Sequence, residues 1–378
     1  MSYGKSDVTN QPFENYIPVL RSNNIKKSKI DLSDLVYVNP LKIKDKQFLK
    51  KGDLLITAST GSIKVIGKNA YCENYNAAFG AFCKVVRPKN IDENYLKHMF
   101  QSQQYFGYIQ NVVNGANINN IKNEHLNNFK IPLPTLETQK RIAQILDDAA
   151  TLRDKTVQLL KEYDLLAQSI FLDMFGDPVN NPKGWEIDLI DNISKKIQIG
   201  PFGSQLHQYD YEDMGYSLVN PTDISKGKID LINCRKINLE KFDSLPNYHL
   251  IVEDLIMARR GDLSKIAIVQ NDNLFCGTGS LFIRFNKKVN SLYAFHLLKH
   301  RSSISKLYEK SRGITMANLN KKIIKEFKIP TPPINIQNQF AEKVALIEQQ
   351  KALAKQELQE SEDLFNCLLQ KAFKGELV

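Results

Sequence analysis

The histidines and two short turn-forming stretches are the places where this sequence could carry out catalysis. His296 and His300 are four residues apart, as metal ligands on one helix face can be, but no third ligand lies near them. Gly277-Thr278-Gly279 is a fragment of a GxGxxG loop, and no GxxxxGK[S/T] phosphate-binding motif occurs. Asn220-Pro221-Thr222 lacks the Asn/Asp-Pro-Pro-aromatic motif of amino-methyltransferases. We therefore expect a chain that is not catalytic on its own and holds no metal or cofactor.

The charge distribution predicts an anionic partner. The net charge is +10 and the pI is about 9.1, a balance that favours nucleic acid. Residues 1–134 hold 18 Lys and Arg against 10 Asp and Glu, and residues 177–332 hold 23 against 17. Residues 135–176 and 333–378 each hold 5 against 7. The anion-binding surface is therefore expected on the two basic parts.

Composition excludes several other classes of protein. The chain has 378 residues, of which 42% are hydrophobic, so two or three domains can each bury a core. Its five cysteines are scattered without a CxxC pair, which argues against a disulfide framework or a zinc ribbon. No apolar run reaches the roughly 18 residues of a membrane span, and the first residues lack the apolar core of a signal peptide. We expect a cytoplasmic protein with no membrane partner.

The sequence contains an internal repeat of about 200 residues. Residues 115–143 align without a gap with residues 313–341, and nine of the 29 positions are identical. Short apolar stretches upstream match at nearly the same offset. The repeat divides the chain into four predicted parts, which are basic parts at 1–134 and 177–332 and helices at 135–176 and 333–378.

Each repeat is predicted to combine an α+β part with one long helix. Short apolar runs separated by Gly, Asn, Asp and Pro indicate strands in the basic parts. In the first helix Leu152, Leu159 and Leu166 belong to a seam with steps of three and four residues, which indicates a coiled coil. Gly176 and Gly375 lie where the two helices should end. We expect an antiparallel pair of helices with pseudo-two-fold symmetry; the alternative is two surface helices that each pack on their own domain.

The combined motifs resemble the specificity subunit of a type I restriction–modification system over essentially the whole chain. They are the two helix entries Ile131-Pro132-Leu133-Pro134 with Gln139 and Ile329-Pro330-Thr331-Pro332 with Gln337, the stretch Ile170–Pro178 leading to Gly184-Trp185, Gly200-Pro201-Phe202-Gly203-Ser204, and Ala372-Phe373-Lys374-Gly375-Glu376-Leu377. One departure is that the second repeat opens with Trp185 about 30 residues before Tyr216, whereas only 15 residues precede Tyr16.

The resemblance implies two target recognition domains that each read one half of a bipartite, asymmetric double-stranded DNA site. It implies that the helices are spacer regions that dock two copies of a modification subunit, an adenine methyltransferase that brings S-adenosylmethionine. It also implies a separate restriction subunit that uses ATP, and a complex that is nucleoid-associated when bound to DNA. The rival hypothesis is a coiled-coil interaction scaffold whose basic charge is incidental.

Residue type and loop position give the predicted DNA contacts. Base edges favour Arg and Asn, whereas Lys, Ser and Thr favour phosphates. For Asn120 and Asn318, which recur in both repeats, we predict a turn or capping role. The predicted contacts are Arg21, Asn23, Asn24, Ser59, Thr60, Ser62 and Lys64 in the first repeat, and Ser204, Gln205, Asn220, Thr222, Arg259, Arg260, Lys265 and Arg312 in the second.

Overall fold

The computed structural model describes residues 7–60, 62, 65–116, 120–202, 205–311 and 318–377. The chain forms two compact units. Unit 1 comprises Met1–Gln158 and Lys355–Val378, and unit 2 comprises Leu159–Ala354. Both long helices cross this boundary, so each of them contributes one part to unit 1 and one part to unit 2.

Unit 1 consists of short strands followed by helices. The elements are β1 (Val8–Thr9), β2 (Ile17–Leu20), β3 (Ile25–Lys26), β4 (Lys29–Ile30), β5 (Val36–Val38), β6 (Leu54–Thr57), β7 (Asn69–Tyr71), β8 (Ala78–Phe79), β9 (Cys83–Val86), α1 (Glu93–Met99), α2 (Gln103–Ala116), α3 (Asn123–Asn127) and the first part of α4 (Leu136–Phe175).

The strands of unit 1 form two main sheets and one hairpin. One sheet has the order β1-β5-β2-β8, in which only β2 and β8 run parallel. The other sheet is antiparallel with the order β7-β6-β9. Strands β3 and β4 pair as the hairpin. Every residue of β6 is buried, as expected for a continuous apolar run at the centre of a sheet.

Unit 2 repeats this order and adds elements at its start. The elements are β10 (Ile187–Leu189), β11 (Ser194–Ile199), β12 (Tyr211–Glu212), β13 (Tyr216–Val219), β14 (Ile224–Ser225), β15 (Lys228–Ile229), β16 (Arg235–Ile237), α5 (Leu239–Ser244), β17 (His249–Leu250), β18 (Leu255–Ala258), β19 (Ile266–Ile268), β20 (Leu274–Cys276), β21 (Ser280–Phe285), α6 (Ser291–Lys299), α7 (Arg301–Lys310), α8 (Lys321–Lys325), β22 (Lys328–Pro330) and the first part of α9 (Ile334–Lys374).

The sheets of unit 2 reproduce those of unit 1 with extra edge strands. The order β12-β16-β13-β20-β17 contains the counterpart of β1-β5-β2-β8, including its parallel pair β13 and β20. The order β11-β21-β18-β19 contains the counterpart of β9-β6-β7. Among the described residues of unit 1 no strand corresponds to β11, which pairs with β21 in unit 2, or to β10, which pairs with β22.

Helices α4 and α9 pack against each other in antiparallel directions. In unit 2 the Lys351 ammonium lies 2.8 Å from the Asp164 carboxylate, and the Phe171 and Phe340 rings lie 5.6 Å apart. Later residues of α4 therefore meet earlier residues of α9. The helices begin one residue after the predicted starts at 135 and 333. Among the described residues, no helix has the length and apolar character needed to cross a membrane.

The predicted inner seam of α4 is wrong at three positions. Leu152, Leu159 and Leu166 are 52%, 36% and 45% exposed. At these turns the inward-facing positions lie one residue further along the helix and include Ala167. The Arg153 guanidinium lies 5.0 Å from the centre of the Phe365 ring on α9. Leu159 and Leu160 are both apolar, as are Leu166 and Ala167, so spacing alone did not distinguish the two registers there.

An ion pair with a buried carboxylate lies at the start of the central strand in each unit. The Asp53 carboxylate receives two hydrogen bonds from Arg87, at 2.7 and 2.6 Å, and Asp254 receives two from Arg284, both at 2.8 Å. Both carboxylates are fully buried. Bidentate pairing of this kind fixes geometry as well as charge.

The two Pro-x-Pro entries fix the start of each long helix. The buried Gln139 amide donates to the Pro134 carbonyl at 2.8 Å and accepts from a backbone N–H of unit 1 at 2.9 Å. Gln337 makes the same pair of bonds, at 2.7 Å with the Pro332 carbonyl and at 2.9 Å with the Asn290 N–H. The repeated motif therefore fixes the backbone at the entry of each long helix.

Candidate nucleic-acid interface

One edge of unit 2 brings predicted DNA contacts together. Most of its residues follow β11, β13 or β18 or precede β19. Backbone hydrogen bonds at this edge join Gly277 N–H to the Val219 carbonyl at 3.0 Å and Arg259 N–H to the Gly279 carbonyl at 3.0 Å. We call it the unit 2 edge and define it by Phe202, Gln205, Asn220, Thr222, Arg259, Arg260, Lys265 and Asn318.

Two adjacent arginines dominate the unit 2 edge. The Asn318 amide oxygen accepts from Arg259 at 3.1 Å and from Arg260 at 3.4 Å. Arg259 is only 4% exposed, and its guanidinium lies 5.3 Å from the centre of the exposed Phe202 ring. Burial, reinforced by the neighbouring Arg260 charge, lowers the pKa of Arg259. Among the described residues its buried Nε has no hydrogen-bond partner, so none of them fully satisfies this positive charge.

The loop after β13 presents smaller polar groups. Asp223 accepts from the Asn220 N–H at 2.8 Å and from the Thr222 hydroxyl at 3.1 Å, while Thr222 remains exposed. The Lys265 ammonium donates to the Pro221 carbonyl at 2.8 Å and ties β19 to this loop. Only glycine fits at Gly277, because a Cβ there would lie 2.3 Å from the Asn220 amide oxygen.

The corresponding edge of unit 1 carries different side chains. We call it the unit 1 edge and define it by Arg21, Asn23, Ser59, Thr60, Ser62 and Asn120. Arg21 pairs with the exposed Asp34 carboxylate at 3.0 Å. Ser59 forms a backbone bridge with Asn120, and Arg260 forms the same bridge with Asn318. The repeat therefore presents Ser59 at the backbone position where unit 2 presents Arg260.

The remaining predicted contacts fall into three groups. Some side chains bond within the protein, some are accessible to solvent, and some lie outside the described residues. Asn24 is buried, and its amide bonds the Asp31 and Asp34 carbonyls at 2.8 and 2.9 Å, so it organises its own loop. The Gln205 side-chain oxygen accepts from the Tyr248 hydroxyl at 2.8 Å, so this oxygen is engaged in a bond within unit 2. Asn23 and Ser62 are exposed, and Thr60 is half-buried. Lys64, Ser204 and Arg312 lie outside the described residues.

Two residues of the unit 2 edge were not recognised in the sequence as contacts. Asn318, for which a turn or capping role was predicted, instead bonds both arginines. Phe202 was noted only as part of a motif. The recurrence of Asn120 and Asn318 in both repeats indicated that these positions matter. It could not indicate which side chains they would contact.

The histidines with metal-ligand spacing have structural roles. His296 stacks on Phe171 with the rings 6.2 Å apart, and burial lowers its pKa to about 4. His300 is the N-cap of α7 and lies 2.7 Å from the Ser302 hydroxyl. The described residues contain no group of three or more metal-ligating side chains.

The chain is similar in sequence to specificity subunits of type I restriction enzymes. It is 27% identical to the EcoKI type I restriction enzyme specificity subunit of Escherichia coli K12 over 100% of this chain and 86% of that protein. It is 38% identical to the StySPI specificity subunit of Salmonella potsdam, but over only 43% of this chain and 35% of that protein. The putative MjaX specificity subunit of Methanocaldococcus jannaschii is 27% identical over 88% of this chain and 80% of its own.

Solved structures support the fold. A chain from the structural work on complex assembly and conformational transition of the type I R-M system matches with a TM-score of 0.63 and 18% identity, over 96% of this chain and 92% of that one. The type I S subunit from M. genitalium matches with a TM-score of 0.50 and 15% identity, over 98% and 91%.

The family model decides between the two hypotheses raised by the sequence. The model for the type I restriction modification DNA specificity domain matches residues 3–162 and again residues 188–362. The two matches follow the internal repeat and favour DNA specificity over a scaffold without DNA recognition. The chain therefore belongs to the type I restriction modification DNA specificity domain family.

Proposed function

We propose that this chain selects a bipartite, asymmetric DNA site, with the unit 1 edge reading one half and the unit 2 edge reading the other. The observation that carries the proposal is that one duplicated sheet edge presents different polar side chains in its two copies. Different side chains on the same framework would read different base sequences. Because the two half-sites would then differ, the whole site would be asymmetric. Catalysis belongs to partner subunits in this class of enzyme.

The contacts divide by chemistry. Arg260 and Asn23 are exposed and have the side chains that favour base edges. Lys265, Thr222 and Ser62 are suited to phosphates, which fix register without reading sequence. The other proposed contacts are Arg21, Ser59, Thr60, Asn220 and Arg259, together with Lys64, Ser204 and Arg312, which lie outside the described residues.

For the partners, we propose that α4 and α9 dock two copies of a modification subunit. Leu152, Leu159 and Leu166 form an exposed stripe with a spacing of seven residues on α4, and Leu346 and Leu353 are 62% and 55% exposed on α9. Exposed apolar residues at helical spacing fit a protein partner better than DNA. The helix motif occurs twice in the chain, which favours two copies. The partners would supply S-adenosylmethionine and ATP, and the complex would act in the cytoplasm.

Mapping of DNA adenine methylation in cells with and without this gene tests the proposal. The expected result is that a methylated motif of two different half-sites separated by an unread gap disappears with the gene. A strain carrying the chain altered at Thr222 and Lys265 provides the matched comparison, because loss of phosphate contacts should weaken methylation without changing the motif. If the methylated motifs are the same in all strains that express the modification subunit, the proposal is wrong.

A further inference from the structure

The arginine pair of the unit 2 edge occupies a backbone position that can be located in both units. The Ala58 carbonyl accepts from the Ile121 N–H at 2.7 Å, and the Arg259 carbonyl accepts from the Leu319 N–H at 2.8 Å. The next residues, Ser59 and Arg260, form the matching bridges to Asn120 and Asn318. Arg259-Arg260 thus replaces Ala58-Ser59 on an otherwise equivalent framework.

Among the described residues, this pair lacks the acidic neighbour that three other arginines of the two units possess. Arg21, Arg87 and Arg284 each contact a carboxylate within 3.0 Å. Within the described part of the chain, Arg259 and Arg260 share only the neutral Asn318 oxygen, and no carboxylate lies in ion-pair contact with them. Two adjacent guanidinium groups without a counter-charge would be stabilised by an electronegative ligand.

The two arginines have different access to such a ligand. Arg259 is buried against Phe202, so its side chain is less accessible to a ligand than that of Arg260. Arg260 is exposed and is held at Nε by Asn318, so that its terminal nitrogens are not the atoms engaged in that contact. A held guanidinium with available terminal N–H groups matches the two acceptors O6 and N7 that guanine presents in the major groove.

We infer that Arg260 reads a guanine in the half-site bound by unit 2, and that Asn318 is the positioning residue that aims it. This inference rests on the proposed function. Unit 1 has Ser59 at the equivalent position, and a single hydroxyl accepts or donates at any base. The requirement for guanine at this position is therefore confined to one half of the bipartite site.

The test uses the full chain assembled with its modification subunit and maps the methylated motif for each variant. Arg260→Ala and Arg260→Lys are expected to lower the preference for guanine at one position of one half-site by about 5- to 150-fold, the range for one bidentate base contact. Arg301→Ala is the control, because Arg301 is an exposed arginine of unit 2 at the first residue of α7 and is not one of the residues that define the unit 2 edge.

Asn318→Ala distinguishes positioning from a contact of its own. A positioning role predicts that Asn318→Ala broadens the same motif position and adds little to Arg260→Ala, because the two residues then act through one contact. Broadening at a different position would show that Asn318 reads a base independently. Fluorescence of Trp185 verifies that each variant keeps unit 2 folded.

The outcomes separate this inference from the proposed function. If the unaltered chain directs methylation to no bipartite motif, the proposed function fails. If it does, but Arg260→Ala leaves the guanine preference unchanged, only the inference fails. A loss that is equal at all sequences, with a smaller salt dependence, would identify Arg260 as a phosphate contact and would also overturn the inference.

Discussion

Replacement of Arg284 by methionine should destabilise unit 2 severely. Arg284 donates two 2.8 Å hydrogen bonds to the Asp254 carboxylate, which is fully buried immediately before the central strand β18. Methionine has a similar length but no charge, so the carboxylate would keep only the 2.9 Å hydrogen bond from the Ile251 N–H. The cost arises from the buried charge that remains, more than from the two bonds that are lost.

The expected loss is about 3–5 kcal/mol in the free energy of unfolding, the usual cost of removing one partner of a buried ion pair. With a denaturant slope of about 2–3 kcal/mol per molar urea, the unfolding midpoint would fall by about 1–2.5 M. The double variant Asp254→Leu with Arg284→Met removes both charges. It should regain most of the loss, because an apolar pair can replace a buried ion pair with little net cost.

The chain provides its own assay and control. Trp185 is the single tryptophan and lies in unit 2, so its fluorescence during urea unfolding reports on that unit. Arg87→Met removes the equivalent partner of Asp53 in unit 1. It should lower the midpoint seen by far-UV circular dichroism more than the midpoint seen by Trp185.

A decrease of less than about 1 kcal/mol for Arg284→Met would refute the reasoning, since that is the range of exposed pairs. An equal loss in the double variant would also contradict it, because the cost would then come from packing and not from the uncompensated carboxylate.

Three further changes test the edge, the helix surface and the helix entry. Gly277→Ala should weaken DNA binding by the assembled complex roughly tenfold or more, measured by fluorescence anisotropy, because its Cβ would lie 2.3 Å from a side-chain oxygen. Gly107→Ala, whose Cβ meets nothing within 4 Å, should have no effect. Leu159→Glu should abolish copurification with the modification subunit while Lys161→Glu on the same helix turn retains it. Gln337→Ala should cost about 2–4 kcal/mol in the Trp185 unfolding assay, since buried backbone groups at the helix entry lose their partner; a cost near zero would show that water replaces the amide.

The internal repeat allowed the fold to be predicted to a considerable depth. A fixed offset over many residues predicts equivalent structure without knowledge of any contact, and the paired sheets and the two helices follow from it. The recurrence of Gln139 and Gln337 after Pro-x-Pro marked the helix entries, because an entry is local in sequence. The register of α4 could not be obtained in this way, because Leu159 and Leu160 are both apolar and only the packed partner decides which is inside.

The unit 2 edge was harder to predict, since its contacts join residues that are distant in sequence. Arg260 and Asn318 are 58 residues apart, and no periodic pattern relates them. Residue type and loop position suggested several residues that the structure brings together at this edge, including Arg259 and Thr222. The same criteria also suggested Asn24, whose amide is used entirely within its own loop. Loop polarity does not distinguish a side chain that organises a turn from one that faces a ligand.

The comparison of the two units separates what the framework requires from what recognition can vary. The buried Asp–Arg pair and the helix-entry glutamine occur in both units, because loss of either would leave buried polar groups without partners. At the edge, Ser59 and Arg260 occupy one backbone position although they differ in size, charge and hydrogen-bonding capacity. A side chain there projects from a strand end that is already held by backbone hydrogen bonds, so its replacement costs the core little. The edge can therefore change its base preference while the sheet beneath it stays the same, and exchange of these residues between the units is the direct way to move a preference from one half-site to the other.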